Sequence, residues 1–138
     1  MNTSVDMSAE GLRVLITAGA AGIGRAFAST FADAGAKVFI CDNDTVALEG
    51  FRTAYPAIGT TIADVAVPAQ VDTMFDAAAA FLGGLDVLVN NAGIAGPTAP
   101  VEDIATEDWD RTIAVDLNGM FYCTRRAVPL LKLSLIHI

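Results

Sequence analysis

Positive charge is scarce in this chain of 138 residues: 8 Lys and Arg stand against 16 Asp and Glu, for a net charge of −8. No basic cluster exceeds Arg125-Arg126. That argues against a nucleic-acid partner, because neutralising phosphates needs a positive face. Long apolar runs are missing as well, and none comes near the roughly 20 residues that a membrane span requires. Residues 1–11 are polar and acidic, with neither a basic start nor an apolar stretch. They carry no secretory signal and read as a loose leader. Cysteine is limited to Cys41 and Cys123, without the paired spacing of a metal site or a disulfide. Two buried free thiols fit a reducing cytoplasm. The lone histidine, His137, sits in an atypical tail and supports neither a catalytic nor a metal assignment. Charged residues make up only 17% against 54% apolar ones, which excludes disorder and supplies a core. The length allows one domain at most.

What is present is concentrated in residues 12–24, LRVLITAGAAGIG. An apolar strand breaks into a turn of small residues and then opens a helix. The order suits a pyrophosphate. The strand delivers the backbone to a tight turn, side chains vanish so that a ligand can come close, and free N–H groups of a helix N-terminus face it. A plain turn is the alternative, since a glycine-rich run alone is a weak signal. Residues 37–41, KVFIC, form a second apolar strand ending on Asp42, 18 residues beyond Gly24. A carboxylate there can accept both ribose hydroxyls of an adenosine and would repel a 2′-phosphate, which points to NAD over NADP. Asp42 also fits a solvated acid, because Asp42-Asn43-Asp44 reads as a helix start. Residues 85–89 are a short apolar run, as in a parallel strand covered on both faces. Asn90-Asn91-Ala92-Gly93 follows, and Asn and Gly tolerate left-handed backbone while Asn amides can tie neighbouring strands.

Together these residues resemble the N-terminal half of a short-chain dehydrogenase/reductase. That family's cofactor turn reads T-G-x-x-x-G-x-G, and residues 17–24 match it except that Ala18 replaces the first glycine. The change adds a Cβ where the backbone turns hardest. Asp64-Val65 resembles the family's adenine-contacting pair, and LDVLVNNAG at 85–93 resembles its L-D-x-L-V-N-N-A-G strand and turn. The likeness covers residues 12–132. It implies an α/β fold with a Rossmann-type doubly wound parallel sheet, and hydride transfer between an alcohol and a carbonyl on a small-molecule substrate. It further implies a dinucleotide held by Ala18, Ala21, Gly22, Ile23, Gly24, Asp42, Asp64, Val65, Asn91, Ala92 and Gly93. Asn91 to Gly93 would lie along the cofactor's ribose.

Spacing predicts strands at 12–16, 37–41, 58–63 and 85–89, and helices at 22–34, 44–54 and 68–82. Ile23, Phe27 and Phe31 form the apolar stripe of the first helix, which ends with Gly35 as a left-handed cap. Pro56 stops the second. Pro68 suits the first turn of the third, Gly83-Gly84 closes it, and Val71, Met74, Phe75, Ala78 and Leu82 are its buried stripe. The alternation argues a right-handed, doubly wound parallel sheet, here incomplete at four strands plus a long C-terminal helix. Residues 94–105 form a loop that flanks the substrate cleft by resemblance, or is a simple connector. Thr106-Glu107-Asp108 reads as a cap with acids in the first turn. Trp109, Ile113, Leu117, Met120, Phe121, Thr124, Val128 and Leu131 then keep helical spacing to about residue 132. That stripe is either core or, as the family implies, the contact with a second subunit of a homo-oligomer.

Reducing a carbonyl needs a proton donor beside it. In the family a tyrosine supplies the proton, a lysine four residues later lowers its pKa, and a serine on the fifth strand orients the carbonyl. No Y-x-x-x-K occurs here, and the fifth strand is lacking. Tyr122 has Arg126 four residues on, but both fall within the long helix, and arginine cannot relay a proton. The family's helix asparagine, three residues before a glycine, corresponds to Asp116 when counted back from Gly119; Asn118 falls on another face. An Asp cannot donate the hydrogen bonds of an amide. Residues 133–138, LSLIHI, read as a non-native tail resembling sequencing read-through, with a short edge strand as the alternative, and Ser134 is not a catalytic serine. The expectation is a leader at 1–11, a truncated dinucleotide-binding domain at 12–132 and that tail. The chain is then the NAD-binding part of an oxidoreductase, with no catalytic residue and no activity of its own. A non-catalytic NAD-binding or sensing module is the first alternative. A fragment that pairs with intact subunits through 106–132 is the second.

Overall fold

A computed structural model describes residues 8–135, so leader residues 1–7 and tail residues 136–138, His137 included, lie outside the described residues. Four parallel strands form one sheet. β1 (Arg13–Thr17) pairs with β2 (Lys37–Asp42), Arg13 opposite Lys37 and Thr17 opposite Cys41. β3 (Gly59–Ile62) lies outside β2 and β4 (Val87–Val89) outside β1, giving the order β3-β2-β1-β4. Val14 through Thr17 and Val38 through Asp42 are buried without alternation, because helices cover both faces of the sheet. Side-chain direction still alternates. Val14, Ile16, Val38 and Ile40 meet Ala28, Leu48 and Phe51 on one face. Leu15, Phe39 and Cys41 meet Phe75, Leu82, Cys123 and Ala127 on the other.

α1 (Gly22–Asp33) follows the first strand and ends at Ala34, with Gly35 left-handed at φ +95° as its spacing predicts. Its predicted stripe is overturned. Ile23 is 71% exposed, Phe27 is exposed, and Phe31 is only half-buried; Gly24 and Ala28 face the sheet instead. The helix starts so close to the preceding turn that only small residues fit between them. α2 (Thr45–Ala54) is capped by Asp44, whose carboxylate accepts the N–H groups of Val46 and Ala47. α3 (Pro68–Leu82) has the predicted bounds, the predicted five buried residues, and Gly83 left-handed at φ +79°.

The long C-terminal helix is three pieces: α4 (Thr106–Ile113), a π-helical segment (Ala114–Gly119) and α5 (Met120–Leu135). Thr106 is not its cap. Ala105 occupies that position without a side-chain bond, and the Thr106 hydroxyl turns to Glu107. The predicted apolar stripe is largely the outer face: Trp109, Leu117, Met120, Phe121 and Val128 are exposed. The inner face is Val115, Gly119, Cys123 and Ala127, four residues apart and small. A Cβ on Gly119 would stand 2.7 Å from Val65 Cγ2, so close approach selects small residues there. Arg126 fixes α5 to α3, donating to Asp72 and Asp76 at 2.9 Å each.

The helix continues past residue 132, and the Ser134 hydroxyl donates to the Asp86 carboxylate. At the other end of the described residues, Ser8, Glu10 and Gly11 are exposed. Ala9 is buried, and its N–H donates to Ala34 O at 2.9 Å. No helix among the described residues is long and apolar enough to cross a membrane.

Candidate functional site

The turn after β1 carries Ala18 at φ +50°, the one non-glycine residue with positive φ among the described residues. The Cβ predicted to sit at the sharpest bend does so. Gly19 N–H donates to Cys41 O at 2.9 Å, tying the turn to β2. Gly24 closes the turn from behind: a Cβ there would stand 2.1 Å from Ala18 O and 2.6 Å from Asn91 Nδ2. Gly22 opens it in front, at φ +53° with no atom within 4 Å of where a Cβ would point. No side chain caps α1 at Ala21, and no acid stands in its first turn. Free N–H groups at a helix start, open space above them and the positive end of a helix dipole together make a receptor for an anion.

Asp42 is 9% exposed, so it is not the solvated acid its surroundings also allowed. Its Oδ2 accepts Ala20 N–H at 3.1 Å and its Oδ1 accepts Asp44 N–H at 3.1 Å. The carboxylate thus joins the end of β2 to the glycine turn. Asn91 performs the tying role expected of an amide, donating from Nδ2 to Thr17 O and Ala18 O at 3.1 Å each. Thr17 completes the knot. Its buried Oγ1 accepts the N–H groups of Asn91 at 3.0 Å and Ala92 at 2.9 Å. Sequence reasoning passed over Thr17 as a structural residue, although a hydroxyl ending an apolar strand was a visible signal.

At the end of β3, Asp64 Oδ1 accepts Ala66 N–H at 2.9 Å, and Asp64 N–H donates to Gln70 Oε1 at 2.8 Å. Asp64 Oδ2 accepts from Arg111 Nη2 at 3.1 Å. Val65 beside it is buried. Arg111 comes from α4, and nothing in its local sequence announced it. In the π-helical segment, Asp116 Oδ1 accepts Ile94 N–H at 2.8 Å, so this carboxylate fastens the loop after β4 as an acceptor, with no amide donor needed. An open pocket of about 80 Å³ joins these parts, lined among others by Ala18, Asp42, Asp64, Val65, Ala92, Gly93 and Arg111. Ala21, Gly22, Ile23, Gly24 and Asn91 are not in its lining; Ala21, Gly22 and Ile23 are exposed. A roomier depression of about 430 Å³ on the outer face of α1, around Phe27 and Phe31, has no charged group in its lining. It offers apolar contact and no means of fixing a phosphate.

Other reactive groups lie elsewhere. Burial pushes the Cys41 thiol up to about 12 and the Cys123 thiol up to about 11, so both stay protonated at neutral pH. Arg126 is engaged with α3, which leaves Tyr122 without a cationic partner there. Asp86 stands at the opposite end of the sheet. The Arg13 guanidinium, hydrogen-bonded to both of its oxygens, holds its carboxyl well below the usual carboxylate range. No group of three His, Cys, Asp or Glu side chains suited to a metal occurs among the described residues.

The profile of a family described as short chain dehydrogenase matches residues 13–134. The chain is 42% identical over 123 residues to the short chain dehydrogenase/reductase dpmpG of Macrophomina phaseolina, covering 86% of this chain and 70% of that protein. It is 36% identical over 128 residues to D-threitol dehydrogenase of Mycolicibacterium smegmatis, covering 88% of this chain and 48% of that one. Among solved structures, 3-ketoacyl-(acyl-carrier-protein) reductase from Brucella melitensis complexed with NADH is similar at a TM-score of 0.88 and 36% identity, covering 92% of this chain and 53% of that one. The chain thus spans about half the length of most curated relatives it matches.

Proposed function

The chain belongs to the short-chain dehydrogenase family, and from that premise we propose that its cleft holds NAD, as the cofactor-binding part of an alcohol–carbonyl oxidoreductase. The observation that carries the reading is the pairing of an uncapped, open helix start at Gly22 with a buried carboxylate at Asp42. The N–H groups of Gly22, Ile23 and Gly24, with the backbone of Ala18 and Ala21, receive the pyrophosphate. Asp42 receives the adenosine ribose. Asp64 and Val65 flank the adenine, and Asn91, Ala92 and Gly93 line the second ribose. When bound, NAD supplies a hydride acceptor at its nicotinamide ring. Asp42 sets the preference for NAD, because a carboxylate beside a 2′-phosphate costs on the order of 1 kcal/mol even when well solvated.

The described residues bring no serine or Tyr–Lys pair to this cleft, so we assign the 138-residue chain binding without turnover. In the whole protein the substrate is a small alcohol or carbonyl compound. The exposed face of Trp109, Leu117, Phe121 and Val128 serves a second subunit, and the protonated, unpaired thiols suit the cytoplasm. Calorimetric titration with NADH and NADPH tests the reading. NADH is expected to bind about tenfold tighter than NADPH, from a difference of about 1.4 kcal/mol. Equal affinity removes the role of Asp42, and no binding of either removes the site. A non-catalytic NAD-binding module remains the second reading, and the gene sequence beyond codon 132 separates the two. A serine and Tyr-x-x-x-Lys support the enzyme.

A further inference from the structure

Resting on the reading of the cleft as an adenosine site, we propose that Arg111 is a positioning residue that makes the site select a 6-amino purine over a 6-oxo purine. It acts through Asp64. The Asp64 carboxylate is oriented from two sides, with Oδ1 on Ala66 N–H and Oδ2 on Arg111 Nη2. Each carboxylate oxygen has capacity for a second donor, so a carboxylate fixed in this way presents acceptors to the cleft. An exocyclic amine satisfies an acceptor, whereas a ring carbonyl facing it is repelled. Without Arg111, Oδ2 has no protein donor and the carboxylate can turn about its remaining tie to water.

Charge gives Arg111 a separate effect that is equal for both purines. Asp42 and Asp64 both line the pocket, and Arg111 is the one cationic side chain in its lining. It offsets an acidic wall that would otherwise disfavour the polyphosphate of a dinucleotide. The contact belongs to the pocket rather than to the core: the Arg111 side chain is 48% exposed and that of Asp64 23%. An ion pair this exposed adds little to folding, so removing Arg111 leaves the fold intact and isolates the effect on the ligand.

The test titrates the chain by calorimetry with NADH and with its 6-oxo counterpart, reduced nicotinamide hypoxanthine dinucleotide. Thermal melting controls for folding. The native chain is expected to prefer NADH about tenfold, the usual weight of a charge-assisted hydrogen bond. Arg111→Met brings that ratio to within about twofold of unity, mainly by weakening NADH, while Arg111→Lys, which restores a charged donor, retains most of the preference. Asp64→Asn abolishes it, since an amide can offer either a donor or an acceptor. A ratio untouched by Arg111→Met overturns the proposal and spares the dinucleotide site. Equal weakening of both dinucleotides in Arg111→Met makes Arg111 a general anion contact and overturns it as well. A native chain that binds both dinucleotides equally overturns the purine preference only, and one that binds neither takes the site reading with it.

Discussion

Thr17→Val replaces a hydroxyl by a methyl of the same shape at a position only 1% exposed. The substitution keeps the side-chain shape and removes one acceptor, together with a long donor contact to Val89 O at 3.4 Å. Two backbone N–H groups depend on it, those of Asn91 at 3.0 Å and Ala92 at 2.9 Å. Asn91 N–H also reaches Val89 O at 3.0 Å and stays partly satisfied; Ala92 N–H has no other partner among the described residues. An unsatisfied buried donor costs about 1–3 kcal/mol. Both N–H groups are only part-buried, and one keeps Val89 O, so the loss is about 1–2 kcal/mol against a whole margin of about 5–15 kcal/mol. That corresponds to a fall in Tm of a few degrees or more. The same bonds hold the loop after β4 against the glycine turn, so NADH affinity falls along with stability. Thr17→Ser is the control. It keeps the acceptor and loses a methyl worth about 1 kcal/mol, so it retains the affinity. Circular dichroism melting and calorimetry read the two effects. A Val variant as stable as the native protein, or a Ser variant worse than Val, would refute the argument that the hydroxyl is what joins β1 to the loop.

Ala18→Gly relieves a left-handed alanine that costs about 1–2 kcal/mol, offset by about 0.5–1 kcal/mol for the greater freedom of glycine in the unfolded chain. The melting temperature rises modestly, and a fall would show that the Ala18 methyl contributes packing. Asp42→Ala narrows the NADH-over-NADPH preference in a binding assay and also lowers Tm, because the buried Ala20 N–H loses its acceptor; an unchanged cofactor ratio contradicts the assigned role. Asp86 has a folded-state pKa below its unfolded value of about 3.9. Its contribution is therefore present above that value and is lost as pH falls below it. Asp86→Asn should flatten the acid limb of the stability–pH curve, and an acid limb identical to the native one refutes this. β4 is an edge of the sheet and only half-buried, and a wide apolar face of α4 and α5 is exposed. The chain should therefore self-associate; a monomer by sizing with one sharp melting transition refutes that.

The alternation of strands and helices, the bounds of α3 and the glycine turn were all legible, because apolar period, proline and glycine act locally. The two helices beside the pocket depart from the expectation. In α1 the largest apolar residues read as the inner face, and in the C-terminal helix as core or a subunit contact, whereas Gly24, Ala28, Gly119, Cys123 and Ala127 lie inside. Where a helix approaches a turn or strand closely, small size decides burial, and a pattern weighted toward bulk points outward. The π-helical segment also rotates the helix face between Ile113 and Met120, a shift that a constant period cannot register. Thr17 and Arg111 escaped notice because their partners are distant in sequence: 74 and 75 residues for Thr17, 47 for Arg111. Asp42 and Asn91 stand in recognisable motifs, and each makes bonds that join the turn after β1 to a neighbouring strand end.

The most direct test of the central claim is a map of amide chemical shifts in the chain as NADH is added. The account predicts that perturbations gather on residues 18–24, 42, 64–65 and 91–93, at the C-terminal ends of the four strands. Shifts confined to the outer face of α1 around Phe27 and Phe31, or none at saturating NADH, would contradict it.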